Sequence, residues 1–223
     1  MAEPGADDLA SAWPAICRQR ADFYAWLCAL FAAELGDAQL GAYCAGAARP
    51  LLDACAALGL ESAPRVARAI NALVLLPEAR IELAADFAQL FLLDSRQAAL
   101  PYASFYREPG QRLFGDEERK MREFLRHSGL RVQADFREPA DHLAVYLAVL
   151  ERWSRALADT PTAQIAGAVS EQAAFMRDAL MPWLPEFATR CQAVSVRSDF
   201  YPACAALLVD FVRADLDGLA AAH

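Results

Sequence analysis

An all-α bundle of about ten helices in two packed halves is the fold this sequence predicts, on three observations. Apolar residues recur with a period near 3.6 through most of the chain, strand signals are nearly absent, and proline and glycine fall at spacings that punctuate helices. The 223 residues are 57% apolar and 22% charged, enough to build a core and too apolar for a disordered chain.

The first helix is predicted over 11–35, with Phe23, Leu27, Leu30 and Phe31 on one face and Gly36 ending it in a left-handed conformation. Shorter helices fill 37–76, interrupted at Gly41, Pro50, Gly59 and Pro64. Another begins at Pro77, carries Leu83, Phe87, Leu90 and Phe91 inward, and ends near Asp94. Residues 97–116 hold Pro101, Pro109, Gly110 and Gly115 among Tyr102, Phe105 and Tyr106, and read as an aromatic-rich loop, long enough to suggest a function. A helix over 116–127 closes at Ser128-Gly129. Residues 130–137 then connect an N-terminal half (1–129) to a C-terminal half (138–223).

Glu138-Pro139 is predicted to open the next helix, with Leu143, Tyr146, Leu147 and Leu150 at i, i+3, i+4 and i+7. Thr160-Pro161 repeats the start signal for a helix with Ile165, Val169, Ala173, Met176 and Leu180 inward. Pro182 and Pro185 divide it from a short helix ending near Val194. The last runs over 199–215, with Phe200, Cys204, Leu207, Leu208 and Phe211 on one face.

Charge narrows the function. With 21 Lys and Arg against 29 Asp and Glu, the net charge of −8 disfavours nucleic acid and anionic lipid as partners and suits a positively charged one. No segment approaches the ~20 apolar residues of a membrane span. The acidic start MAEPGADDLA lacks the basic and apolar regions of a signal peptide, so a cytoplasmic location is expected. Six cysteines (Cys17, Cys28, Cys44, Cys55, Cys191, Cys204) form no C-x-x-C pair and read as small buried hydrophobes.

Catalytic signatures are missing. There is no phosphate-binding glycine loop, dinucleotide turn or nucleophile elbow. His127, His142 and His223 are the only histidines, and neither internal one follows a Glu by three, as a helical di-iron site requires. Glu123 and His127, four apart, more often form a solvated pair than a metal site. No catalytic residue, metal or cofactor is predicted. An enzyme, such as a GTP hydrolase, and a structural helical adaptor stay open as alternatives.

Two clusters remain. In Glu138-Pro139-Ala140-Asp141-His142, Asp141 is placed in the first turn of a helix, where a negative charge is favoured, and His142 at the margin of core and solvent. Helix capping explains this cluster; so does a polar binding corner beside an apolar groove. In the helix over 77–94, Glu78, Glu82 and Asp86 line up beside Leu83, Phe87 and Leu90. Such a row is commonly a solvated face, and it is also what a basic-then-apolar peptide needs.

These residues carry a resemblance. ARIELAADFAQLFLLDSRQAALPYASFYR (79–107) resembles the central segment of the TorD family of chaperones, and EPADHLAVYLAVL (138–150) is similar to its E-P-x-D-H signature. ADFYAWLCALFAAEL, MPWLPEFATRCQ and DFYPACAALLVDFV resemble its first and last helices, so the likeness runs in order along nearly the whole chain; 36–74 has no recognisable signature, and 108–118 is variable. The resemblance implies a non-enzymatic cytoplasmic chaperone. Its partner would be the apo catalytic subunit of a molybdoenzyme, trimethylamine N-oxide reductase, with its twin-arginine leader, held until the molybdenum cofactor is inserted and export can follow. Another client, such as dimethyl sulfoxide or nitrate reductase, fits the same family. Carried over by motif, Asp141 and His142 are the leader-recognition residues, with Glu138 and Pro139 shaping the corner. Tyr102, Ser104 and Tyr106 follow as its walls, and Phe87, Leu90, Phe91, Glu82 and Asp86 come third. The family likeness also implies weak GTP binding, for which the sequence offers no phosphate cradle. The 130–137 connector leaves both a monomer and a domain-swapped dimer open.

Overall fold

The computed structural model describes residues 6–93, 98–110 and 113–221, with side chains from residue 11 onward. Residues 1–5, Asp94, Gln97 and His223, each named above, lie outside the described residues.

Eleven α-helices and no strand occur among the described residues: α1 (Ala6–Ala32), α2 (Asp37–Cys44), α3 (Arg49–Ala57), α4 (Ala63–Leu73), α5 (Ala79–Phe87), α6 (Ala103–Arg107), α7 (Asp116–His127), α8 (Leu143–Leu157), α9 (Thr162–Phe175), α10 (Leu184–Ala193) and α11 (Phe200–Ala221). The chain is all-α. Five-residue π-turns extend α5 (Ala88–Leu92) and α9 (Met176–Leu180).

One core runs through both halves. Helix α1 lies along α8, and the Phe23 ring stacks on Phe211 of α11 at 3.8 Å. Across the same interface Arg20 is paired through two nitrogens with Asp215, which also accepts from the Tyr24 hydroxyl at 2.6 Å. This ion pair is almost dry, and its geometry, two forked bonds plus a phenol, offsets the desolvation that a bare buried pair would suffer. Helices α4, α9 and α10 pack on α11.

Several predicted boundaries move for identifiable reasons. Helix α1 ends before residue 35, and Gly36 is extended (φ −80, ψ 164), serving as the N-cap of α2 instead of a left-handed stop. Gly41 lies inside α2, while Pro50 and Pro64 sit in the first turns of α3 and α4, where a missing N–H costs nothing. Glu78, in the left-handed region (φ 53), separates Pro77 from α5, so Pro77 is not in that helix. Helix α7 matches its predicted span. It closes in a Schellman turn, Gly129 at φ 66 and the Leu130 amide donating to Leu125 O at 2.8 Å. Thr160 turns back to donate to Ala156 O, closing α8 instead of capping α9. Cys17, Cys55, Cys191 and Cys204 are buried and Cys28 half-buried, but Cys44 is exposed, against expectation.

Two errors bear on function. The stretch read as a loop contains helix α6, and α8 starts at Leu143, four residues after Pro139.

Candidate functional site

The corner is a crossing of two segments. Residues 101–104 meet 139–143 as a single antiparallel bridge between Tyr102 and His142. The Leu143 amide donates to Pro101 O at 2.7 Å and the Ala103 amide to Asp141 O at 3.0 Å. The first amides of a helix have no partner within it. Helix α6 finds its acceptors in Asp141: the main-chain oxygen takes the Ala103 N–H, and Oδ2 takes the Ser104 N–H at 2.9 Å. Asp141 is therefore a negative charge at a helix N-terminus, as predicted, but the helix is α6, not its own.

His142 caps α8. Its Nδ1 accepts from the Ala144 amide at 3.1 Å, which leaves the ring proton on Nε2. The edges of two aromatic rings enclose it, Tyr102 at 5.1 Å and Phe136 of the connector at 5.3 Å. Tyr102 donates to Glu138 Oε2 at 2.6 Å, and Glu138 is exposed.

Burial decides how these groups behave. Asp141 is 0% exposed and His142 4%, so neither offers its polar atoms to solvent in this arrangement. Burial raises the Asp141 carboxyl above its ordinary value, opposed by Ser104. Burial lowers the His142 imidazole to about 4, so it is neutral at physiological pH. Asp141 Oδ1 and Ser104 Oγ are enclosed without a hydrogen-bond partner. Burial and Glu138 together raise the Tyr102 phenol.

The chain has relatives whose sequences align with it along nearly their whole length. The family model described as "Nitrate reductase delta subunit" matches residues 61–189. A chaperone protein TorD of Psychrobacter sp. (strain PRwf-1) is 42% identical over 213 residues, covering 93% of this chain and 94% of the relative. Those of Vibrio cholerae serotype O1 (strain ATCC 39315) and Escherichia coli O45:K1 (strain S88) are 36% and 35% identical, covering 88% and 89% of this chain. The chain belongs to the TorD family. It is a chaperone of redox-enzyme maturation, and that family role is non-enzymatic.

Within this TorD-family chain, the structure brings together only part of the predicted site. Glu138, Pro139, Asp141, His142, Tyr102 and Ser104 form one corner. Tyr106 does not wall it: its ring stacks on Trp183 at 5.7 Å, beneath the Arg190 guanidinium that also covers Phe105 at 4.9 Å. Phe87, Leu90 and Phe91, inward on their helix and third among the site candidates, lie in the buried core. Phe91 meets Phe31, Phe87, Phe187 and Tyr201 within 6.1 Å. Asp86 drops out of the acidic row, because its two oxygens accept the Arg197 and Ser198 amides at 2.7 and 2.8 Å. Glu82 stays half-buried at that edge. The sequence reading missed Phe136; an apolar residue in a polar connector was the available signal.

Among the described residues no helix is long and apolar enough to cross a membrane, and no group of three His, Cys, Asp or Glu is placed to hold a metal.

Proposed function

We propose that this protein is a cytoplasmic chaperone that binds the twin-arginine leader and the apo catalytic subunit of trimethylamine N-oxide reductase, favouring insertion of the molybdenum cofactor before export. The observation that carries the reading is the corner at 101–104 and 138–143, where an exposed carboxylate, Glu138, is held in place by Tyr102 beside an aromatic-lined histidine. Glu138 is the group a leader guanidinium reaches, through a charge-assisted fork. Asp141 and His142 act as positioning residues: Asp141 ties α6 to the corner and His142 starts α8 between two aromatic rings. The net charge of −8 favours approach of a basic segment.

Calorimetric titration with a synthetic leader, beside one whose twin arginines are lysines, tests this. Lysine lacks the planar fork, so the exchange weakens binding if Glu138 reads the arginines. Equal binding of both peptides removes Glu138 from recognition, and binding of neither removes this leader. A second reading, a chaperone for nitrate or dimethyl sulfoxide reductase, draws on the nitrate reductase description of the matching family. Leaders of the three enzymes compared in one titration separate them.

A further inference from the structure

A trough runs along the connector. Two adjoining cavities, of about 690 and about 580 Å³, share Leu125, Leu130, Val132 and Phe136 as an apolar floor. Arginines are strung along both: Arg122, Arg126 and Arg137 line the first, Arg152 the second, and Arg131 lies between them and lines both. Of the glutamates lining the trough, Glu118 is engaged by Arg122 and Glu151 by Arg155, while Glu138, at one end, accepts from Tyr102 and stays exposed. Arg131, Arg137 and Arg152 are exposed, and their side chains have no ion pair or hydrogen bond among the described residues.

A strained aromatic stands at the rim. Phe114 is 72% exposed and lies in the left-handed region at φ 61, a true outlier for a bulky residue. Such strain persists only where the surroundings enforce it, and it concentrates at functional positions. Glu108 packs beside the next residue. Its carboxylate accepts the Glu117 amide at 3.0 Å and fills the space beside Gly115, where an added Cβ would fall 1.8 Å from Oε2.

We propose that this trough binds an acidic, extended peptide segment of a partner protein, with an apolar or aromatic side chain on the floor and carboxylates on Arg131, Arg137 and Arg152. The spacing favours a peptide over a single phosphate, because the cations are spread along two cavities instead of converging on one point. The floor between them is apolar, which suits a side chain flanked by carboxylates. In a chain of net charge −8 this row of arginines is a local inversion, and it repels a basic leader. Glu138, Pro139 and Ala140 close one end of the first cavity, so the trough adjoins the leader corner, and the acidic-peptide titration tests it separately from the leader.

The test is a fluorescence-anisotropy titration of the full chain with a short synthetic peptide of Asp and Glu around a Phe-Leu pair, beside its Asn/Gln counterpart. The acidic peptide binds, and the neutral one binds about tenfold or more weakly, the scale of one lost charge-assisted contact. The Arg131→Glu/Arg137→Glu double variant loses a similar factor, as does Arg152→Glu, which lies on helix α8 and keeps the test open if the connector variant misfolds. Leader binding is not weakened in either. Equal binding of the two peptides, or of a folded variant and the parent, overturns the proposal. So does displacement of the peptide by tripolyphosphate at matched ionic strength, which would make this a small-anion site.

Discussion

Two buried aspartates of this protein, Asp86 and Asp141, look alike in sequence: each lies beside aromatic residues and within a segment that resembles the family pattern. Their surroundings differ. Asp86 has both oxygens committed to the Arg197 and Ser198 amides, and it fastens α5 to the turn before α11. Asp141 has Oδ2 committed to Ser104 and Oδ1 enclosed without a partner, and it fastens α6 next to an exposed glutamate. The first is a closed structural joint. The second, equally buried, supports a surface whose available carboxylate is the exposed Glu138.

The contrast can be broken from the core side first. Phe91→Ala beside Asp86 removes a ring packed on four others, and is expected to cost about 3–5 kcal/mol in urea unfolding. Leader affinity of the molecules that remain folded stays the same. A loss of affinity there would return Phe91 to the binding surface. Asp86→Ala strands two amides, each at about 1–3 kcal/mol, and lowers the melting temperature without touching leader titration.

His142 supplies a pH test on the corner side. Its folded value of about 4 lies below the ordinary histidine value of 6.5, so the unfolded chain takes up a proton that the folded one refuses. Its contribution is present above 6.5 and is lost as pH falls toward 4, amounting to about 2 kcal/mol by pH 5. Asp86 and Asp141, both raised, act in the opposite sense, gaining stability as pH falls through their folded values. His142→Asn keeps an N-cap on α8 and removes only the histidine's part. Denaturant curves at pH 7 and pH 5 should therefore differ less for the variant than for the parent; an unchanged difference would mean that His142 takes up its proton as readily folded as unfolded.

The smallest stability effects belong to the carboxylates of the corner. Asp141→Asn preserves an acceptor for the Ser104 amide and shifts stability by less than about 1 kcal/mol. Glu138→Gln shifts it by about 0.5 kcal/mol or less, yet weakens leader binding about tenfold, the scale of a charge-assisted hydrogen bond. Unaltered leader binding by Glu138→Gln would break the comparison, since the exposed carboxylate would then have no role.

Local chemistry made much of this readable in advance. Helix α7 was legible in both bounds because an acidic first turn and a Ser-Gly stop are written in adjacent residues. The stripe Leu143, Tyr146, Leu147 and Leu150 was legible because helical periodicity survives any tertiary arrangement. The start of α8 was not, because Glu138-Pro139 satisfies every local start rule while the true cap, His142, is selected by the bridge to Tyr102. Helix α6 escaped for the same reason: five residues among prolines have no helical signal, and their acceptors come from Asp141, 37 positions away from Ser104 in sequence.

By itself, then, the sequence determined the helical class, the apolar faces, the charge and the family, since each depends on residue type and on spacing within a few turns. Only the tertiary structure decided which aspartate closes a joint and which supports a corner, which aromatics are core, and that five arginines gather along a trough beneath the connector. Those outcomes depend on which distant groups meet, and burial and hydrogen-bond capacity are properties of the meeting and not of the residue.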